Sequence, residues 1–120
     1  MKFKDYTNSF DPEDIEENKV LALFSYIGIL FLIPFFTVRK SPYARFHINQ
    51  GIILFIASLI ISVTIAITVW PLYVIHLSLL AAIIKSINLV PLVVMVFGII
   101  NAVRGKAIEI PFIGGIRIIK

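Results

Sequence analysis

Lysine, arginine, aspartate and glutamate are all missing from residues 46–84, and again from 20–38 and 86–103. A helix needs about 20 apolar residues to cross a hydrocarbon core about 30 Å thick. The first gap is long enough for one span and the last is close to it. The middle gap is nearly twice too long, so it must break or tilt. Such runs direct the chain to a membrane. Composition agrees: 59% of the residues are hydrophobic and 15% charged, with a mean hydropathy of +0.98. Soluble domains are usually about half apolar and about a quarter charged. A disordered tail, a collagen-like chain and an ordinary small soluble enzyme are excluded. The 120 residues allow one domain, and the absence of cysteine removes disulfides, thiolate metal sites, iron–sulfur clusters and covalent haem.

Charge divides the chain into three parts. Residues 1–19 form an acidic lead-in, 20–106 a transmembrane helical domain, and 107–120 a short C-terminal tail. The lead-in holds six of the seven acids, and the rest of the chain holds eight of the eleven bases. Those bases lie in loops and ends rather than on one face, so no nucleic-acid partner is expected. An acidic region precedes the first gap, and Arg39 and Lys40 follow it in place of a small-residue cleavage site. It is therefore expected to stay as a span rather than to be removed as a signal peptide. Asp11, Pro12 and Asp14 have the pattern of a helix start: a capping side chain, a first-position proline and a negative charge at the dipole.

Trp70-Pro71 is the natural break in the long gap. Proline lacks an amide proton, and tryptophan favours the membrane interface. The second span is then expected over 46–70. Residues 71–84 are too short to cross alone and would lie along the interface or re-enter. Lysines and arginines favour the cytoplasmic side, and they crowd the loop 39–45 (Arg39, Lys40, Arg45) and the C-terminal end (Arg104, Lys106, Arg117, Lys120). An even number of crossings between these regions satisfies the rule. The charge count thus favours three spans with the N-terminus outside. The rival has four spans, with 71–84 as a short third one. Either way the fold is all-α: an integral membrane bundle of three to four hydrophobic helices in the cell membrane, multi-pass, bounded by Arg39, Lys40, Arg45, Trp70, Arg104 and Lys106. Pro34 and Pro91 are expected to kink their segments.

Small residues recur on helical stripes: Gly51, Ser58, Ser62 and Ala66; Ser78, Ala82 and Ser86; Gly98, Ala102 and Gly105. Such stripes let helix backbones approach inside one bundle or between copies. No carboxylate lies in any apolar segment, which argues against proton-coupled pumps and intramembrane aspartyl proteases. His47 and His76 have no metal-ligand spacing. The serines lack a nucleophile-elbow context, and the glycines make no phosphate loop. No catalytic residue, metal or cofactor is expected. Two polar clusters remain as candidate packing or interaction sites. His47 and Gln50 lie on one face where the second span begins, and Asn101 lies near the end of the last, positioned to bond across helices. The tail, punctuated by Pro111 and Gly114-Gly115, is expected on the membrane surface.

The runs Asn18-Lys19-Val20-Leu21-Ala22-Leu23-Phe24-Ser25-Tyr26-Ile27-Gly28 and Tyr43-Ala44-Arg45-Phe46-His47-Ile48-Asn49-Gln50-Gly51, with Gly105-Lys106 and Ile110-Pro111-Phe112-Ile113-Gly114, occur together. In this the chain resembles a widespread family of small prokaryotic membrane proteins without a settled activity. That family is distantly similar to the Tic-twenty component of the chloroplast inner-envelope protein import machinery. The resemblance covers nearly all of residues 18–120. It implies a four-span relative and an association with protein translocation. Some relatives carry a cysteine-rich zinc ribbon before the first span, which this cysteine-free chain lacks. The expected function is a non-enzymatic assembly or accessory component, linked to translocation or insertion. Its partners would be membrane lipids and either other membrane proteins or further copies of itself. The alternative is a homo-oligomeric pore or small-solute transporter.

Overall fold

The computed structural model describes residues 4–38 and 40–110. Five α-helices follow one another: α1 Pro12–Leu23, α2 Leu32–Thr37, α3 Pro42–Val74, α4 Ser78–Lys85 and α5 Leu89–Val103. Short 3-10 turns at Phe24–Tyr26, Gly28–Phe31 and Ser86–Asn88 join them. Among the described residues the regular structure is helical apart from one isolated antiparallel bridge, Asp5 to Ile108. Among the described residues two helical stretches are long and apolar enough to cross a membrane, Pro42–Val74 and Ser78–Val103.

α3 is the spine. Ser41 caps it, accepting from the Ala44 amide at 3.1 Å, and Pro42 begins the first turn. The helix runs through Pro71, so the expected break at Trp70-Pro71 does not occur. The cost of a proline is a missing donor, and a membrane helix can absorb it when other groups re-satisfy the freed carbonyl. The chain turns instead at His76, which adopts φ 64°. The Leu77 amide donates to the Leu72 carbonyl at 2.8 Å and the His76 amide to Tyr73 at 3.1 Å, the paired bonds of a Schellman cap. Residues 71–84 therefore do not form a separate piece of their own. Residues 71–74 end α3, and 78–84 begin the returning arm of a helical hairpin.

The first apolar segment is likewise not one continuous helix. After α1, the chain breaks at Ile27 and Gly28, where Gly28 has φ 50°. It then returns through a 3-10 turn and α2, in which Pro34 is a third-position residue rather than a mid-helix kink. Phe31 reaches Phe55 at a ring-centroid distance of 5.5 Å. Val38 packs back against Ala44 and Ile48. The Ser41 hydroxyl then donates to Asp14 Oδ1 at 2.5 Å, so the segment starts and finishes at one end of α3. A crossing segment would separate its ends by about 30 Å. The membrane-boundary residue Arg39 lies outside the described residues.

Both ends of the described chain meet at that same end. The Glu109 amide donates to the Lys4 carbonyl at 2.7 Å, and the Tyr6 amide to Ala107 at 2.8 Å. The Ala107 amide donates to Thr7 Oγ1 at 3.0 Å. Thr7 donates from both its hydroxyl and its amide to the Asp5 carboxylate, which lowers the pKa of Asp5 below that of an ordinary aspartate. The tail residues Ala107 and Ile110 are buried in the core, while residues 111–120, with Pro111, Gly114, Arg117 and Lys120, lie outside the described residues.

The proximal core gathers Ala22, Tyr26, Tyr43, Phe46, Leu54, Ala102, Ala107 and Ile110. Phe10 lies edge-on to Tyr43 and Phe46, with centroids 6.0 and 5.8 Å away. A thin distal cluster of Ile65, Val69 and Ala81 holds the two arms of the hairpin together. Around it the apolar side chains face outward, among them Ile67, Trp70 and Leu79 at 69%, 70% and 77% exposure. On α4 the packed residue is Ala81, not the Ser78, Ala82 and Ser86 stripe, whose members are exposed.

Candidate functional site

The first three turns of α3 carry the polar cluster picked out in the sequence, and the fold closes it completely. His47 and Gln50 are fully buried, and Asn49 is 1% exposed. Gly51 lets the Phe24–Tyr26 turn approach α3, since a Cβ there would lie 1.8 Å from the Ser25 carbonyl oxygen. Gly98 on α5 leaves room for the Tyr26 ring, whose nearest carbons are 2.5 Å from where a Cβ would stand. The two close approaches bring Tyr26 between α3 and α5, over His47.

The hydrogen bonds there run in one direction. Ile110 can offer only its N–H, and it reaches Gln50 Oε1 at 2.6 Å. That fixes the amide, so Gln50 Nε2 donates to the Tyr26 hydroxyl at 2.7 Å. Tyr26 is left to donate its own proton to His47 Nδ1 at 2.5 Å. The opposite ring nitrogen, Nε2, then carries hydrogen and faces the Lys106 carbonyl at 3.0 Å. His47 is thus a neutral imidazole with both nitrogens engaged. The chain of bonds begins and ends in the segment 106–110, which it ties to α3 and to the Phe24–Tyr26 turn that follows α1.

Two further groups complete the site. Tyr43 donates its hydroxyl to the Ala102 carbonyl at 2.8 Å, and its ring stands edge-on to His47 at 4.8 Å. Asp14 accepts from Ser41 Oγ, and from the Tyr43 amide at 3.0 Å and Asn18 Nδ2 at 2.8 Å. A carboxylate from α1 therefore caps the N-terminus of α3, where the unpaired amides and the dipole favour an anion. Gly105, at φ 73°, ends α5 in a second Schellman cap, with the Lys106 amide on the Asn101 carbonyl at 2.8 Å. This turn aims the Lys106 carbonyl at His47.

The fold distributes the residues singled out in the sequence among several places. His47, Gln50 and Gly51 join the buried site. Asn101 contributes its backbone to the cap, while its side-chain Nδ2 is buried without a partner. Ser58 returns its hydroxyl to the Leu54 carbonyl at 2.7 Å and borders an apolar crevice with Tyr26 and Met95. Ser62 and Ala66 lie in a separate distal groove with Trp70. Lys40, Arg45, Arg104 and Lys106 gather at the proximal end, where Arg45 Nη2 donates to the Lys40 carbonyl at 3.4 Å. Sequence reasoning missed Tyr26, Tyr43 and Asp14 as parts of the cluster. It placed Asp14 at the start of its own helix and gave the tyrosines no part beyond the runs that carry the resemblance. The partners of the two tyrosines lie between 21 and 63 residues away, beyond any helical spacing. Among the described residues no three His, Cys, Asp or Glu side chains are grouped to hold a metal ion.

Searches among curated proteins and among solved structures find no match. A family model does match, described as "Chloroplast import apparatus Tic20-like", and it covers residues 6–115. The match takes in α1, the buried His47–Gln50 site and the whole hairpin, and on that extent the chain belongs to the Tic20-like family of membrane proteins.

Proposed function

We propose that the chain is a multi-span, non-enzymatic membrane component that assembles with other membrane proteins during protein import or insertion. Family membership supplies the setting, since its description names an import apparatus. One structural contrast carries the rest of the reading. The polar groups best suited to chemistry are spent on one another in a closed site, whereas the distal hairpin presents apolar faces to its surroundings. In this reading α3 and the α4–α5 arm each cross the membrane, and residues 20–38 dip in and return. The basic loop, the N-terminal segment and the C-terminal end then share the cytoplasmic side, in keeping with the positive charges at that end.

The test is in-cell crosslinking of a tagged full chain carrying a photoreactive residue at Ile67 or Leu79, followed by mild extraction and mass spectrometry. Recurrent adducts with translocase, insertase or envelope proteins are the expected result. Ladders of self-adducts alone would overturn the accessory reading in favour of a homo-oligomeric pore, to be pursued by conductance and flux assays.

A further inference from the structure

Between Phe46 and Val103 the sequence holds a single charged side chain, Lys85. It lines a groove of about 290 Å³ between the arms of the hairpin, together with Trp70, Tyr73, Ser62 and Asn88. Among the described residues no hydrogen bond or ion pair engages its ammonium group. None could come from the chain's own acids. All seven lie in residues 5–17 or at Glu109, at the proximal end of the molecule. Lys85 stands about 27 Å from Val103 along the returning arm, at 1.5 Å per residue. No side-chain carboxylate of the chain is within its reach, which leaves the ammonium group open to an anion from the surroundings.

The direction of the side chain narrows the choice. Cα–Cβ bonds tilt toward a helix N-terminus, and the N-terminus of α4 is the tip of the hairpin. The Lys85 stem therefore leans toward the level of Trp70 and Tyr73. Tryptophan and tyrosine favour the interfacial layer of a bilayer, and lysine snorkels to the same layer. Deeper in the groove, Asn88 accepts from Ser62 Oγ at 3.3 Å through its Oδ1, which leaves its amide nitrogen to donate. A cation at headgroup level above a neutral donor matches the order of groups in a phospholipid, phosphate above ester carbonyl.

We propose that this groove binds the headgroup of an anionic phospholipid, with its phosphate on Lys85, its glycerol region between Trp70 and Tyr73, and an ester carbonyl on Asn88. The proposal rests on the reading of the hairpin as membrane-embedded.

Trp70 is the chain's one tryptophan and reports on the groove directly. The full chain is reconstituted in phosphatidylcholine vesicles containing increasing fractions of acyl-brominated phosphatidylglycerol or acyl-brominated phosphatidylcholine, and quenching of Trp70 is followed. Brominated phosphatidylglycerol is expected to quench at about five-fold lower mole fraction, the factor that one lysine at an anionic surface supplies. Lys85→Met should bring the two lipids level. Lys85→Arg should keep the preference, as should Lys40→Met at the other end of α3. Equal quenching in the native chain, or a preference that survives Lys85→Met, would overturn the site while leaving the hairpin embedded. Quenching by neither lipid that persists on dilution into excess lipid would overturn the embedding along with the site. Protection from both lipids that disappears on dilution into excess lipid would identify a second copy as the occupant and overturn the lipid assignment.

Discussion

Tyr26 is the side chain through which the buried bonds of His47 and Gln50 pass. Its hydroxyl accepts from one and donates to the other, so no second donor is needed at His47 Nδ1. Tyr26→Phe keeps the ring beside Gly98 and removes only that relay. Two buried polar atoms are then stranded, each at a cost of about 1–3 kcal/mol. The thermal midpoint of the detergent-purified chain should fall accordingly. Combining Tyr26→Phe with Gln50→Ala should destabilise by less than the sum of the two, because both break one chain of bonds. Gln50→Glu is the sharper variant. A carboxylate still accepts from the Ile110 amide, but it also draws the Tyr26 proton away from His47. A near-isosteric change should therefore unfold the site about as readily as Gln50→Ala, and a midpoint equal to that of the native chain would show that the bonds do not run in the stated direction. The sequence displayed His47 and Gln50 because they stand three residues apart on one helix. Tyr26 was hidden because an aromatic residue in an apolar run reads equally well as core, belt or relay.

Helix ends decide the path of the chain. The start of α1 was legible because Asp11, Pro12 and the acids that follow are local signals, and Asp11 does accept from the Glu13 amide at 3.0 Å. The start of α3 depends in addition on Asp14, which belongs to another helix and which no local pattern could assign. Asp14→Ala should remove a charge-assisted cap and cost about 1–3 kcal/mol, while Asp11→Ala, which frees one exposed amide, should cost about 1 kcal/mol or less. Unfolding of the two variants side by side tests the order. The turn of the hairpin was misread for a similar reason. Proline is the strongest breaker in soluble sequences, so Trp70-Pro71 outweighed His76, yet the left-handed residue is His76. Left-handed backbone costs an ordinary side chain about 1–2 kcal/mol and glycine almost nothing. His76→Gly should therefore raise the midpoint, and Gly105→Ala, at the matching cap of α5, should lower it. Changes of the same sign in both variants would contradict the caps described.

At the scale of the whole molecule, the question is how many times the chain crosses. Hydropathy and charge identified the class of protein and the two long arms, because these depend on composition over 20 residues or more. They could not show that residues 20–38 double back, because the return depends on the backbone at Gly28 and on the bond between Asp14 and Ser41. With its 33 residues, α3 is about 50 Å long, well beyond a hydrocarbon core of about 30 Å. Its first turns are clothed by α1, α2 and the 107–110 segment, and the bare apolar stretch beyond them matches the core. The chain has no cysteine of its own, so single cysteines at Asn8, Lys40, His76 and Lys106 can be labelled one at a time in intact cells with a membrane-impermeant maleimide. Positions 8, 40 and 106 should respond alike, because Lys4 is bonded to Glu109 and Asp14 to Ser41. Position 76 should label from the opposite side. If position 8 labels opposite to 40, residues 20–38 cross after all, and the Gly28 break is a kink inside a span. If position 76 labels together with 40, the hairpin does not cross, and its exposed faces must be covered by protein rather than by lipid.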